Sequence, residues 1–163
     1  MRSSDRRRFK LSQSLVAPTQ SIEEVVGKIV NGFQFLDDWT ARYEYLIDLG
    51  RAMPPFPDDQ RIEENRLYGC QAQVWLLSQY HEGRLYFQAT SDSAIVSGLL
   101  ALLLRVYSGR TPQEIIDHPP EFIREIELEQ HLSLYRANGL AQMMKKIRLI
   151  AEQTLIEEEH GAL

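Results

Sequence analysis

Cysteine is all but missing from this sequence of 163 residues: Cys70 is the single one. A lone thiol cannot close an internal disulfide, cannot supply the several thiolates of an iron-sulfur or structural zinc site, and has no resolving partner in its own chain. What remains is a buried, inert cysteine or one reactive thiol. Long apolar runs are missing too. The most apolar stretch, the eleven residues Ala94 to Leu104, is interrupted by Ser97 and Gly98, where a membrane span needs about 20. It reads as a buried helix. Arg6-Arg7-Arg8 is followed by no apolar segment of the secretory type, so a reducing, cytoplasmic setting is expected; a plastid location would apply only if the basic start were a targeting remnant. Histidine is also sparse. His81, His118, His131 and His160 show no ligand-like spacing with one another or with Cys70, and no metal or organic cofactor is expected in the chain.

Positive charge is scarce outside the first ten residues. These hold Arg2, Arg6, Arg7, Arg8 and Lys10 against Asp5, so a net charge of -5 leaves -9 on the remainder. An acidic body does not suit nucleic-acid binding, which needs a clustered basic face on the folded part. Residues 1–20 lack apolar periodicity and read as a disordered basic arm. One domain is expected over 21–155, and 156–163 as an acidic C-terminal tail, with Glu157-Glu158-Glu159 a solvated helix end.

What is present begins with a capping box, Ser21 with Glu24, ahead of Ile22, Val25, Val26, Ile29, Val30 and Phe33 at helical spacing. A second helix starts at Asp37 or Asp38, carries Trp39, Tyr43, Leu46 and Ile47, and stops near Gly50. A proline-rich loop, Met53 to Pro57, and a polar connection follow. Val74 to Tyr80 and the alternation from Leu85 to Thr90, joined at His81-Glu82-Gly83, predict a hairpin, and Arg66 to Gly69 a third strand. Asp92 is expected to cap the apolar helix Ala94 to Tyr107, and Gly98 within it predicts close backbone packing. Thr111-Pro112-Gln113-Glu114 opens a short helix, Glu121 to Leu128 reads as another, and Ser133 caps a long final one. Helices, then strands, then helices predict an α+β fold with a small antiparallel sheet of about three strands packed against helices.

Cys70 stands between the polar connection and a strand, at a loop end where the backbone can bend at Gly69. Its surroundings, Tyr68-Gly69-Cys70-Gln71-Ala72-Gln73-Val74-Trp75, resemble the active-cysteine motif of the SufE family, which accepts persulfide sulfur from a pyridoxal-phosphate cysteine desulfurase. Further blocks resemble that family in the same order: Phe35-Leu36-Asp37-Asp38-Trp39, Arg42 to Gly50, Glu64-Asn65-Arg66, Ser91 to Leu99, His131-Leu132-Ser133 and Arg136-Ala137-Asn138-Gly139-Leu140, covering about residues 21–152. Six ordered blocks are specific where Gly-Cys-Gln alone would be weak. Ala72 departs from the serine common in the family.

The resemblance implies a SufE/IscU-like fold and a sulfur acceptor and carrier in which Cys70 is the persulfide-forming thiolate. It implies supporting roles for Gly69, Gln71, Gln73, Asp92, Arg136 and His131, and an apolar pocket that hides the sulfur between handovers. The pyridoxal phosphate would reside in the partner desulfurase, of the SufS or CsdA type. An iron-sulfur scaffold or another acceptor would take the sulfur; no membrane or nucleic acid is called for, and a homodimer is compatible. Such a chain is an accessory sulfurtransferase rather than an independent enzyme. Arg136 or Arg66 would favour the thiolate. The alternatives are a CsdE-like relay to a non-cluster acceptor and a cysteine-dependent hydrolase using His131 and Asp92. An IscU-type scaffold needs more thiols than this chain has.

Overall fold

The computed structural model describes residues 15–161, and the basic run Arg2 to Lys10 lies outside them. Helix α1, Ile22–Phe35, begins at the expected capping box: Ser21 Oγ accepts from Glu24 N, Glu24 Oε1 from Ser21 N. It buries Ile22, Val25, Ile29 and Phe33, one stripe at helical spacing. Helix α2, Trp39–Arg51, is capped by Asp38, whose carboxylate accepts from Ala41 N at 2.8 Å.

The antiparallel sheet has the order β1 (Arg66–Leu67), β2 (Val74–His81), β3 (Arg84–Ser91), with Val74 opposite Ser91 and His81 opposite Arg84. Its hairpin turns through Glu82 and Gly83, both at positive φ (50° and 81°), the pair of conformations that matches strand twist across a two-residue loop. Leu85, Phe87 and Ala89 face the helices and join the core. The opposite face is covered as well: Tyr86 and Leu77 pack with Phe56 and Leu15, and Gln88 donates to Pro55 O.

The described segment ahead of α1 reaches that cover. Within Leu15 to Gln20, contacts to the fold are made at three points: Leu15 packs with Tyr86 and Leu77, a Cβ built on Gly109 would come 2.5 Å from Pro18 Cδ, and buried Arg110 donates from Nη1 to Gln20 O at 2.7 Å. The apolar Leu15 and the buried guanidinium supply the hold that composition alone did not reveal.

Helix α3, Ala94–Tyr107, is central, as its all-round apolar sequence requires. Gly98 lies against α2, and its absent Cβ would be 2.6 Å from the Leu46 carbonyl carbon. The helix is capped by Ser93, not Asp92: Ser93 Oγ accepts from Val96 N. The chain then closes the free edge of β3, Leu85 exchanging bonds with Arg110 O and Gly109 N. Helix α4, Pro112–Asp117, starts at the expected Thr111–Glu114 capping box. Helix α5 is shorter than expected, Phe122–Glu125. The chain turns at Glu127 (φ 59°) because Ile126 and Leu128 are both buried, and residues two apart point to different sides of a helix. Helix α6, Leu134–Glu159, is capped by Ser133, and Tyr80 Oη donates to Glu158 near its C-terminal end. The fold is α+β, as the pattern of elements predicts.

Candidate functional site

The site is built where the β1–β2 loop meets the N-terminal turns of α6 and α3. β1 ends at Leu67, Gly69 takes φ 99°, and the chain reverses through Cys70 to Gln73 before β2 begins. Only glycine adopts that φ at little cost. Cys70 is half-buried, with its side chain against the edge of the core. Two glycines make the loop's contact with α6 possible. A Cβ on Gly139 would lie 2.6 Å from Cys70 Sγ, and one on Gly69 2.5 Å from Gln142 Cγ.

Asp92 ties the far end of the loop. Its Oδ1 accepts from Gln73 N at 2.9 Å, and its own N–H donates to Gln73 O at 3.3 Å. A carboxylate one position before a helix cap is free to serve another segment, because Ser93 already satisfies the helix terminus. Beside the thiol opens a cavity of about 490 Å³ lined by Cys70, Gln71, Ala72, Asp92, Ser93, Val96, Ser133, Tyr135 and Arg136. The lining is mixed rather than apolar, a correction to the expected pocket: polar loop and cap residues share it with Ala72, Val96 and Tyr135. Ala72 itself, which departs from the serine common in the resembled family, adds a methyl group to the wall.

Arg136 lines this cavity and forms no ion pair with a carboxylate of the described residues. Arg66, the other expected cation, stands beneath the loop with its guanidinium carbon 4.9 Å from the ring centroid of Tyr68 and 5.4 Å from that of Trp75. There it props the strand pair from which the loop springs. His131 does not join the thiol. Its ring stacks on Trp39, centroids 3.9 Å apart, and its carbonyl accepts from Tyr43 Oη, so no cysteine–histidine pair is assembled. Thus Cys70, Gln71, Asp92 and Arg136 line one cavity, Gly69 and Gln73 frame the loop, and His131 stands apart.

Sequence reasoning did not place Gly139, Gln142, Ser93 and Tyr135 at the site, and it read Ser133 only as a helix cap. Gly139 alone carried a signal: a glycine inside a helix of good formers costs about 1 kcal/mol against alanine, the argument that identified Gly98. No group of three or more His, Cys, Asp or Glu among the described residues could hold a metal ion. No described helix is long and apolar enough to cross a membrane.

Residues 27–151 match the family model SufE, described as an Fe-S metabolism associated domain. An uncharacterized SufE-like protein of Rhizobium meliloti is 40% identical over 134 residues, 78% of this chain and 95% of that protein. A second, from Rhizobium etli, is 40% identical over 126 residues, 74% of this chain and 85% of that protein. The solution structure of a hypothetical protein from Thermus thermophilus superposes with a TM-score of 0.68 at 20% identity, covering 81% of this chain and 96% of that one; at that identity the likeness concerns the fold alone. A family match of this length, with relatives 40% identical and covered over most of their length, identifies the chain as a member of the SufE family with a role in Fe-S sulfur metabolism.

Proposed function

We propose that Cys70 is a one-sulfur relay. Its thiolate attacks the outer, sulfane sulfur of a cysteine persulfide on a pyridoxal-phosphate cysteine desulfurase. The new Cys70–sulfur bond forms as the partner's sulfur–sulfur bond breaks, and the partner's cysteine leaves as thiolate. One persulfide is consumed and one is made, so no external oxidant or reductant enters. A second thiol, on an iron-sulfur scaffold or another acceptor, repeats the step on Cys70, and removal of sulfur stimulates the desulfurase.

The observation that carries this reading is the setting of the thiol. The sole cysteine sits on a short loop, bracketed by a positive-φ glycine and by the Asp92–Gln73 tie, beside an open cavity that Arg136 also lines. The hydrolase reading finds no support in this geometry, because His131 is stacked on Trp39.

The test is intact-protein mass spectrometry after incubation with a cysteine desulfurase and free cysteine. A gain of one sulfur atom is expected, reversed by reductant and absent in Cys70→Ser. No gain with SufS-type or CsdA-type desulfurases would overturn the proposal.

A further inference from the structure

The geometry points to Gly139 as the positioning residue for the carrier thiol: its missing side chain is the seat on α6 where Cys70 rests, and a β-carbon there expels the loop. This deepens, and rests on, the reading of Cys70 as a sulfur carrier. A Cβ at Gly139 would stand 2.6 Å from Cys70 Sγ, 2.9 Å from its Cβ and 3.6 Å from its Cα, whereas non-bonded heavy atoms settle at about 3.5–4.0 Å. The whole side chain of Cys70 therefore lies flat on bare helix backbone. Gly139 is buried within α6, where alanine would favour the helix, so the glycine is explained by what it leaves room for.

One helical turn further, Gln142 lies under Gly69. Residues three apart share one helix face, so the dipeptide Gly69-Cys70 runs along the Gly139–Gln142 face. The two glycines form one interlocking contact. Sulfur added to Cys70 extends about 2 Å beyond Sγ. The helix wall at Gly139 leaves it no room on that side, so it enters the cavity toward Ala72, Val96 and Arg136. Seated, the persulfide is shielded on one flank by α6; unseated, it is open to any thiol or reductant.

Because Cys70 is the only cysteine, alkylation by iodoacetamide reads this one position and needs no desulfurase. Rates are taken at the high-pH plateau, where the thiolate fraction is saturated. Wild-type Cys70 should react more slowly than in the urea-unfolded chain, and Gly139→Ala about tenfold faster than wild type, a population change that about 1.4 kcal/mol of overpacking produces. Asn138→Ala, an exposed neighbour on the same helix, should react within about twofold of wild type. Equal rates for Gly139→Ala and wild type, with both folded by circular dichroism, overturn the proposal. If that variant does not fold, wild-type Cys70 reacting as fast as the unfolded chain overturns it instead. Persulfide-loaded Gly139→Ala should also lose its sulfur to dithiothreitol faster than loaded wild type. Failure of any desulfurase to load Cys70 would remove the carrier reading and leave the seat standing; equal alkylation would remove the seat and leave the carrier.

Discussion

Gly98→Ala and Gly27→Ala are the same chemical change in helix interiors, and the structure gives them opposite signs. At Gly98 the new methyl group would stand 2.6 Å from the Leu46 carbonyl carbon and 2.9 Å from Leu46 Cβ, while the reciprocal Gly50 would meet Gly98 N at 2.8 Å. The obstacle is the backbone of a neighbouring helix, so α2 and α3 must separate. Alanine returns about 1 kcal/mol of helix propensity, whereas overpacking costs about 1–3 kcal/mol, with rigid backbone as the obstacle favouring the upper end. The net expectation is a loss of about 1–2 kcal/mol, and at about 2–4 °C per kcal/mol for a chain of this size the melting temperature falls by roughly 2–8 °C. Gly27 is exposed and has nothing within 4 Å of its built Cβ. Gly27→Ala should therefore raise stability by about 0.5–1 kcal/mol. Equilibrium urea unfolding followed by far-ultraviolet circular dichroism, with unchanged m-values, measures both. A Gly98→Ala protein as stable as wild type would refute the close approach. Because α3 also carries Val96 to the cavity wall, this crossing sets one side of the site.

Two further outcomes follow from the hydrogen bonds. Asp92→Ala removes the acceptor of Gln73 N–H; with about 0.5–1.5 kcal/mol for such a bond, Cys70 should alkylate roughly two- to tenfold faster, Asp92→Asn less so, and an unchanged rate in the alanine variant would show that the tie does not hold the loop. His118 is bonded to Glu23 at 3.0 Å and to Glu114 O at 2.7 Å. The Glu23 carboxylate and then the Glu114 carbonyl raise its pKa above 6.5, while His118 lowers that of Glu23 below 4.5. The histidine's contribution is complete below its unfolded value and fades as pH rises through the folded one; that of Glu23 fades only as pH falls through its own lowered value. The stability difference between wild type and His118→Gln should thus be larger at about pH 6 than at about pH 8, and a difference independent of pH would contradict the pairing.

Legibility along the chain follows the range of the interaction. The capping boxes at Ser21 and Thr111, the cap at Ser133, the hairpin at Glu82-Gly83 and the bend at Gly69 are local, and each was readable because the residues that interact are neighbours in sequence. Gly98 was readable too, because an interior glycine is costly without a close neighbour. Asp92 was misread for the converse reason. A short carboxylate ahead of a helix has the same local preference whether it caps the helix or serves another strand, and the alternative partner, Gln73, lies 19 residues away.

By itself, then, the sequence determined that a single thiol is available, that it stands on a loop opened by glycine, and that helices flank a small antiparallel sheet. Tertiary structure alone decided the rest. It seated Cys70 on Gly139, a contact across 69 positions of sequence; it turned Asp92 to Gln73, withdrew His131 to Trp39, and folded Leu15 to Gln20 over the sheet. The physical reason is that hydrogen-bond and packing energies depend on which groups the finished core brings together. Local patterns specify the elements; only their packing specifies the partners.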